Sequence, residues 1–75
     1  MDERTKELIA MGASVAANCH PCMDHHLAEY DELKISRQDV REAIKVGFMV
    51  NHGAERAIRS HAHELLGELA AEADP

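Results

Sequence analysis

Tryptophan is missing from this chain, and Tyr30 and Phe48 are its only aromatic residues. A core without rings must be filled by Ala, Leu, Ile, Val and Met, which suits helices. Basic charge is also scarce. Eight Lys and Arg stand against fourteen Asp and Glu, a net charge of −6, and the basic residues are scattered among the acids. Phosphate backbones are held by clustered cations, so no nucleic-acid partner is expected. No apolar run approaches the ~18 residues that suggest a membrane span. The opening MDERTKELIA is charged where a signal peptide would be apolar. The expectation is a cytoplasmic protein with no membrane contact. Period-two alternation is absent too, which argues against a sheet. With no linker, repeat or low-complexity tract, residues 1–75 read as a single domain.

Cysteine is limited to Cys19 and Cys22. A ring closed by thiols three residues apart removes little loop entropy from the unfolded chain, so it is a poor structural staple. A chain of 75 residues buries only about 60% of the surface its unfolded form exposes. Cores below roughly 80 residues usually lean on disulfides, a metal or partner chains. Metal or oligomerisation is left to supply what the core lacks.

The apolar residues that are present fall at helical spacing. Residues 2–17 read as a first helix, with Leu8, Met11, Gly12, Val15 and Ala16 on one stripe. Gly12 is a poor choice for an exposed helix interior and points to close packing against another helix. Asn18 reads as the N-cap of a second helix over 19–33, with Pro21 in its first turn, where a missing N–H is harmless. Leu27, Tyr30 and Leu33 extend a buried stripe along it. Ser36, with Asp39 three residues on, opens a third helix over 37–51. Its middle, residues 43–50, is apolar on nearly every side and needs covering on more than one side, which makes it an intersubunit helix. Asn51-His52-Gly53 reads as a stop, followed by a fourth helix over 54–71 that carries Ala54, Ala57, Ile58, His61, Leu65 and Leu69. The tail 72–75 reads as frayed. The fold class expected is all-α, an antiparallel bundle of about four helices.

The segment Cys19-His20-Pro21-Cys22-Met23-Asp24-His25-His26 carries the chemistry. On a helix Cys19, Cys22 and His26 stand at i, i+3 and i+7, on one face. A helix N-terminus favours thiolate over thiol. His26 is placed to take or return a proton at Cys22. If the first two helices are antiparallel, Glu7 reaches the same cleft and orients His26. His25 points to solvent or to an interface. The spacing from His26 favours Cys22 as the attacking thiol. In helix-start pairs the first, more exposed cysteine is often the attacking one, so the residues alone leave the order open.

Glu7 followed by Cys19-x-x-Cys22-x-x-x-His26 resembles the active-site pattern of the alkylhydroperoxidase D-like branch of the carboxymuconolactone decarboxylase superfamily. Glu7-Leu8-Ile9-Ala10 through Ala16-Ala17-Asn18-Cys19 is similar to the segment before that family's cysteines. Asp39-Val40-Arg41-Glu42-Ala43-Ile44 is similar to the helix that follows them. The resemblance implies an all-helical homo-oligomer, trimeric or hexameric. It implies a thiol peroxidase or disulfide reductase of antioxidant type. Cys22 would attack the peroxide and become a sulfenic acid, Cys19 would resolve it to a disulfide, and Glu7 with His26 would relay protons. A dithiol donor would reduce the pair, and neither cofactor nor resident metal is called for.

Three other readings stand beside it. The thiols could be small buried groups without chemistry. They could join His25 or His26 in a metal-binding or assembly module. A second ligand pair is hard to find for such a site, because His61 and His63 diverge by about 200° on a helix. Finally, the chain could be a lyase of the decarboxylase type on the same fold, working from another pocket.

Overall fold

A computed structural model describes residues 1–67 of the chain. Among these residues there are three α-helices and no strand: α1 (Glu3–Ala16), α2 (His20–Leu33) and α3 (Arg37–Leu66). The all-α class is as expected, but the third and fourth helices of the sequence reading are one. Asn51-His52-Gly53 is no stop, because Gly53 keeps a helical backbone and no proline follows it within α3. A glycine inside a helix weakens it by ~1 kcal/mol without ending it. The good helix formers of 54–66 carry the helix on for thirty residues in all. Residues 68–71 of the expected fourth helix, Leu69 among them, and the tail 72–75 lie outside the described residues.

Each helix starts on a side-chain cap. The Asp2 carboxylate accepts the Thr5 N–H at 2.7 Å, and that hydrogen bond holds the Asp2 carboxyl below its ordinary value. Ser36 Oγ accepts the Asp39 N–H at 3.1 Å. The Asp39 carboxylate does not reach back to complete a capping box but pairs with Arg4 of α1. The start of α2 corrects the sequence reading. Asn18 is not its N-cap; Cys19 is, with Sγ accepting the Cys22 N–H at 3.3 Å. Asn18 instead takes a left-handed backbone, φ 56°, which asparagine tolerates better than most residues. Its N–H bonds to Val15 O at 3.0 Å, and the Cys19 N–H bonds to Ser14 O at 2.9 Å. These two bonds close a Schellman motif that ends α1. A second such motif ends α2, with Lys34 at φ 57° and the Ile35 N–H on Tyr30 O at 3.0 Å.

The central element is α1. Both α2 and α3 pack along it, and they do not pack along each other. The first two helices are antiparallel, since Glu7 meets His26 and Tyr30. The expected antiparallel arrangement does not extend to α3, which runs parallel to α1: Arg4 meets Asp39, Gly12 meets Ala43 and Gly47, and Val15 and Ala16 meet Asn51. Two reversals of direction between α1 and α3 require this. The α1–α3 crossing is close. A Cβ on Gly47 would lie 2.6 Å from Gly12 O and from Val15 Cβ, and one on Gly12 would lie 3.1 Å from Ala43 O. The close packing inferred for Gly12 is present.

Met11, Tyr30, Ile35 and Val40 form the core, with Leu8, Met23, Leu33, Ala43 and Ile44 packed against them. Leu27, placed by its spacing on the buried stripe, is 42% exposed. The stripe of α2 narrows to Met23, Tyr30 and Leu33, the residues of α2 that reach the core. Beyond Asn51, α3 projects past the end of α1.

Candidate functional site

Cys19 belongs to two helices at once. Its N–H closes the end of α1 and its sulfur caps the start of α2. Pro21 follows in the first turn of α2, where it removes no hydrogen bond the helix needs. This geometry brings Cys19 and Cys22 together, with Cα atoms 5.3 Å apart and the sulfurs joined as a disulfide. Both residues are half-buried. In the reduced pair, the Cys22 N–H and the helix dipole would favour a thiolate on Cys19.

One turn along α2 from Cys22 stands His26. Its Nδ1 lies 2.6 Å from Glu7 Oε2, across the α1–α2 interface. The two side chains are only 23% and 18% exposed. The antiparallel pairing on which the reach of Glu7 depended is therefore present. A carboxylate on Nδ1 selects the ring tautomer and leaves Nε2 as the nitrogen for proton exchange. His25 is exposed as expected, and its ring meets that of His26 edge-on at 5.0 Å between centroids.

Two residues that sequence reasoning did not connect to the site support it. Tyr30 is one. Its hydroxyl donates to the backbone carbonyl of Glu7 at 2.9 Å, so the same turn of α1 is held by Tyr30 and by His26, four residues apart on one face of α2. Burial, and after it the charge of Glu7, raise the Tyr30 phenol above its ordinary value of 10.0. The phenol stays protonated and keeps donating. Its spacing from His26 was a usable signal.

Asn51 is the other, and here the sequence reading is corrected: Asn51 does not end a helix. Its Nδ2 donates to Val15 O at 2.9 Å, to Ala16 O at 3.1 Å and to Asn18 Oδ1 at 3.2 Å. Val15 O and Ala16 O are carbonyls that the last turn of α1 leaves without helical donors. A side chain of α3 thus fastens the turn that presents Cys19. Val15, Asn18, Phe48, Asn51, His52 and Glu55 line a cleft of about 280 Å³ beside this turn.

Among the described residues no three His, Cys, Asp or Glu side chains converge as a metal-binding set. His61 pairs with Glu64 at 3.6 Å rather than with His63. No helix among them is long and apolar enough to cross a membrane.

The profile of the carboxymuconolactone decarboxylase family aligns with residues 1–64. No curated protein and no solved structure matches the chain.

Proposed function

Because the chain belongs to the carboxymuconolactone decarboxylase family, we propose that it is an enzyme of that family's alkylhydroperoxidase D-like branch, a thiol-dependent peroxidase or disulfide reductase. The observation that carries this reading is the meeting of two elements on one helix. A cysteine pair able to close as a disulfide sits at the start of α2. A histidine already bonded to a half-buried carboxylate stands one turn further on.

In the proposed cycle the Cys22 thiolate attacks the terminal oxygen of a hydroperoxide. The O–O bond breaks, and the alkoxide leaves as an alcohol with a proton relayed by His26. Cys22 is now a sulfenic acid. The Cys19 thiolate, favoured by the Cys22 N–H, attacks the Cys22 sulfur. Hydroxide leaves as water after taking a proton, and the disulfide forms. Two thiols and one hydroperoxide have become one disulfide, one alcohol and one water. A dithiol donor then restores the thiols by exchange. A cytoplasmic setting, where thiols are kept reduced, suits a pair that is turned over. The partners are thus a peroxide or disulfide substrate and a dithiol reductant. A homo-oligomer, trimer or hexamer, would cover the apolar surface that α3 leaves exposed.

The test is a set of single substitutions assayed for peroxide consumption. Cys22→Ser should abolish it. Cys19→Ser should leave a sulfenic acid that dimedone traps. Trapping in Cys22→Ser but not in Cys19→Ser would reverse the two roles. His26→Ala and Glu7→Gln should each slow the reaction roughly 10²-fold, as loss of an acid–base group does, and His25→Ala should do little. The family's name supports a second reading, a decarboxylase-type lyase working from another pocket. Decarboxylation of a lactone acid that survives both cysteine substitutions would establish that reading and sink the redox one.

A further inference from the structure

We propose that Asn51 is a positioning residue for the cysteine pair: its side-chain amide holds the turn at Asn18 left-handed, and that turn keeps the Cys19 sulfur at the N-cap of α2. The proposal rests on the redox reading above. It adds a residue from α3, a helix that packs along α1 and not along α2.

Two bonds place Cys19. Its backbone N–H closes the end of α1 on Ser14 O at 2.9 Å, and its Sγ accepts the Cys22 N–H at 3.3 Å. Both depend on the residue before it. Asn18 at φ 56° reverses the chain, and Cys19 at φ −101° and ψ 95° then leads into α2. Without the left-handed residue the Cys19 N–H would leave Ser14 and the sulfur would leave the start of α2. That backbone is unfavourable for any residue with a Cβ, asparagine being among the more tolerant. Asn18 is exposed, so packing holds it only weakly.

The restraint comes from Asn51. Its Nδ2 meets Val15 O at 2.9 Å, Ala16 O at 3.1 Å and Asn18 Oδ1 at 3.2 Å. An amide nitrogen carries two hydrogens, so the three acceptors share them. Two acceptors belong to the last turn of α1 and the third to the left-handed residue itself. One amide therefore ties the two sides of the reversal together. Each such bond is modest, and together they are of the order of the backbone cost at Asn18. The reach comes from Gly47, four residues earlier and so on the same side of α3. A Cβ there would lie 2.6 Å from Gly12 O. The helices lie close enough for a side chain as short as asparagine to touch main-chain carbonyls of α1.

Held in this way, a reduced Cys19 keeps the Cys22 N–H and the start of α2 against its sulfur, which favours the thiolate. That thiolate is the group that resolves the Cys22 sulfenic acid in the proposed cycle. Cys22, His26 and Glu7 are placed by the α1–α2 pairing. Loosening the turn withdraws the resolving thiolate and leaves them where they are, so Asn51 acts on the second step and not on the first.

The experiment starts from Cys22→Ser, which leaves Cys19 as the sole thiol and is titrated by the ultraviolet absorbance of its thiolate. Adding Asn51→Ala should cut the thiolate fraction at neutral pH roughly threefold or more, toward that of an ordinary thiol. Asn18→Ala, at an exposed position, should act in the same direction, and it decides the matter if Asn51→Ala does not fold. The two together should fall short of their sum, because both act through one turn. Val40→Ala is the control. It removes a buried side chain from α3 eleven residues from Asn51, about 16 Å along the helix. It should lower the thermal midpoint and leave the titration alone. With both cysteines present, Asn51→Ala should increase dimedone trapping of the Cys22 sulfenic acid without changing the rate at which that acid forms. A titration unmoved by Asn51→Ala and Asn18→Ala would overturn the inference, as would an equal shift in Val40→Ala. A chain that forms no sulfenic acid yet shows the titration shift would fail the redox reading and leave the placement of Cys19 by Asn51 standing.

Discussion

Single residues set the local geometry of this chain, and two of them make sharp predictions. Lys34 holds a left-handed backbone, φ 57°, at the end of α2. A side chain there costs about 1–2 kcal/mol, which glycine avoids. Lys34→Gly should therefore raise the urea midpoint by the equivalent of about 1 kcal/mol with an unchanged slope. Tyr30 predicts an alkaline limit. Its phenol is raised in the folded state by burial and by Glu7, so above pH 10 the unfolded chain loses this proton before the folded one does. Stability contributed by the protonated phenol is whole below the unfolded value near 10 and falls as pH climbs through the raised folded value. With one Tyr and no Trp, tyrosinate absorbance reads the event directly. Ionisation and helix loss should coincide, above the pH at which free tyrosine titrates. At this scale the sequence was legible where spacing along one helix carries the signal. The Cys19, Cys22 and His26 register follows from counting residues. Asn51 was opaque because its partners are backbone carbonyls some 35 positions away, a relation that no local pattern encodes.

The crossing of α1 and α3 dominates at the scale of elements. Gly47→Ala would place a methyl 2.6 Å from a carbonyl oxygen and from Val15 Cβ, so the helices must part. A loss of about 1–3 kcal/mol is expected, as for other overpacked sites. Gly12→Ala meets its neighbour at 3.1 Å, and alanine's helix preference of ~1 kcal/mol offsets part of the strain. Thermal unfolding should rank wild type, Gly12→Ala and Gly47→Ala in falling order, and equal losses would mean that the two helices do not cross here. The existence and class of the elements were readable from apolar periodicity. Their number was not. Asn-His-Gly carries a stop signature whether or not the helix obeys it, and α3 runs through because Gly53 adopts a helical backbone and favourable residues follow. The cap of α2 was misplaced by one residue because Asn18 and Cys19 can both serve; the end of α1 claimed Asn18 for its left-handed position.

For the molecule as a whole, surface outweighs core. Among the described residues five apolar side chains are buried, while Phe48 is 54% and Met49 66% exposed on α3. The proposed homo-oligomer would draw on those side chains. Phe48→Glu should then reduce a hexamer or trimer to smaller species, and the wild-type unfolding midpoint should rise with protein concentration. A midpoint constant across a hundredfold range of concentration would show a self-sufficient monomer. Because α2 and α3 meet α1 rather than each other along their lengths, the order of the elements also matters during synthesis. The α1–α2 hairpin can close while translation is still under way. The other face of α1 is covered by α3 from Asp39 onward, and its covering is complete only with Asn51, thirty-six positions after Val15. At about 5–20 residues per second, that interval lasts roughly 2–7 s. Over those seconds the glycine face of α1 is without its full covering, and a ribosome-bound chaperone has its clearest reason to attend there.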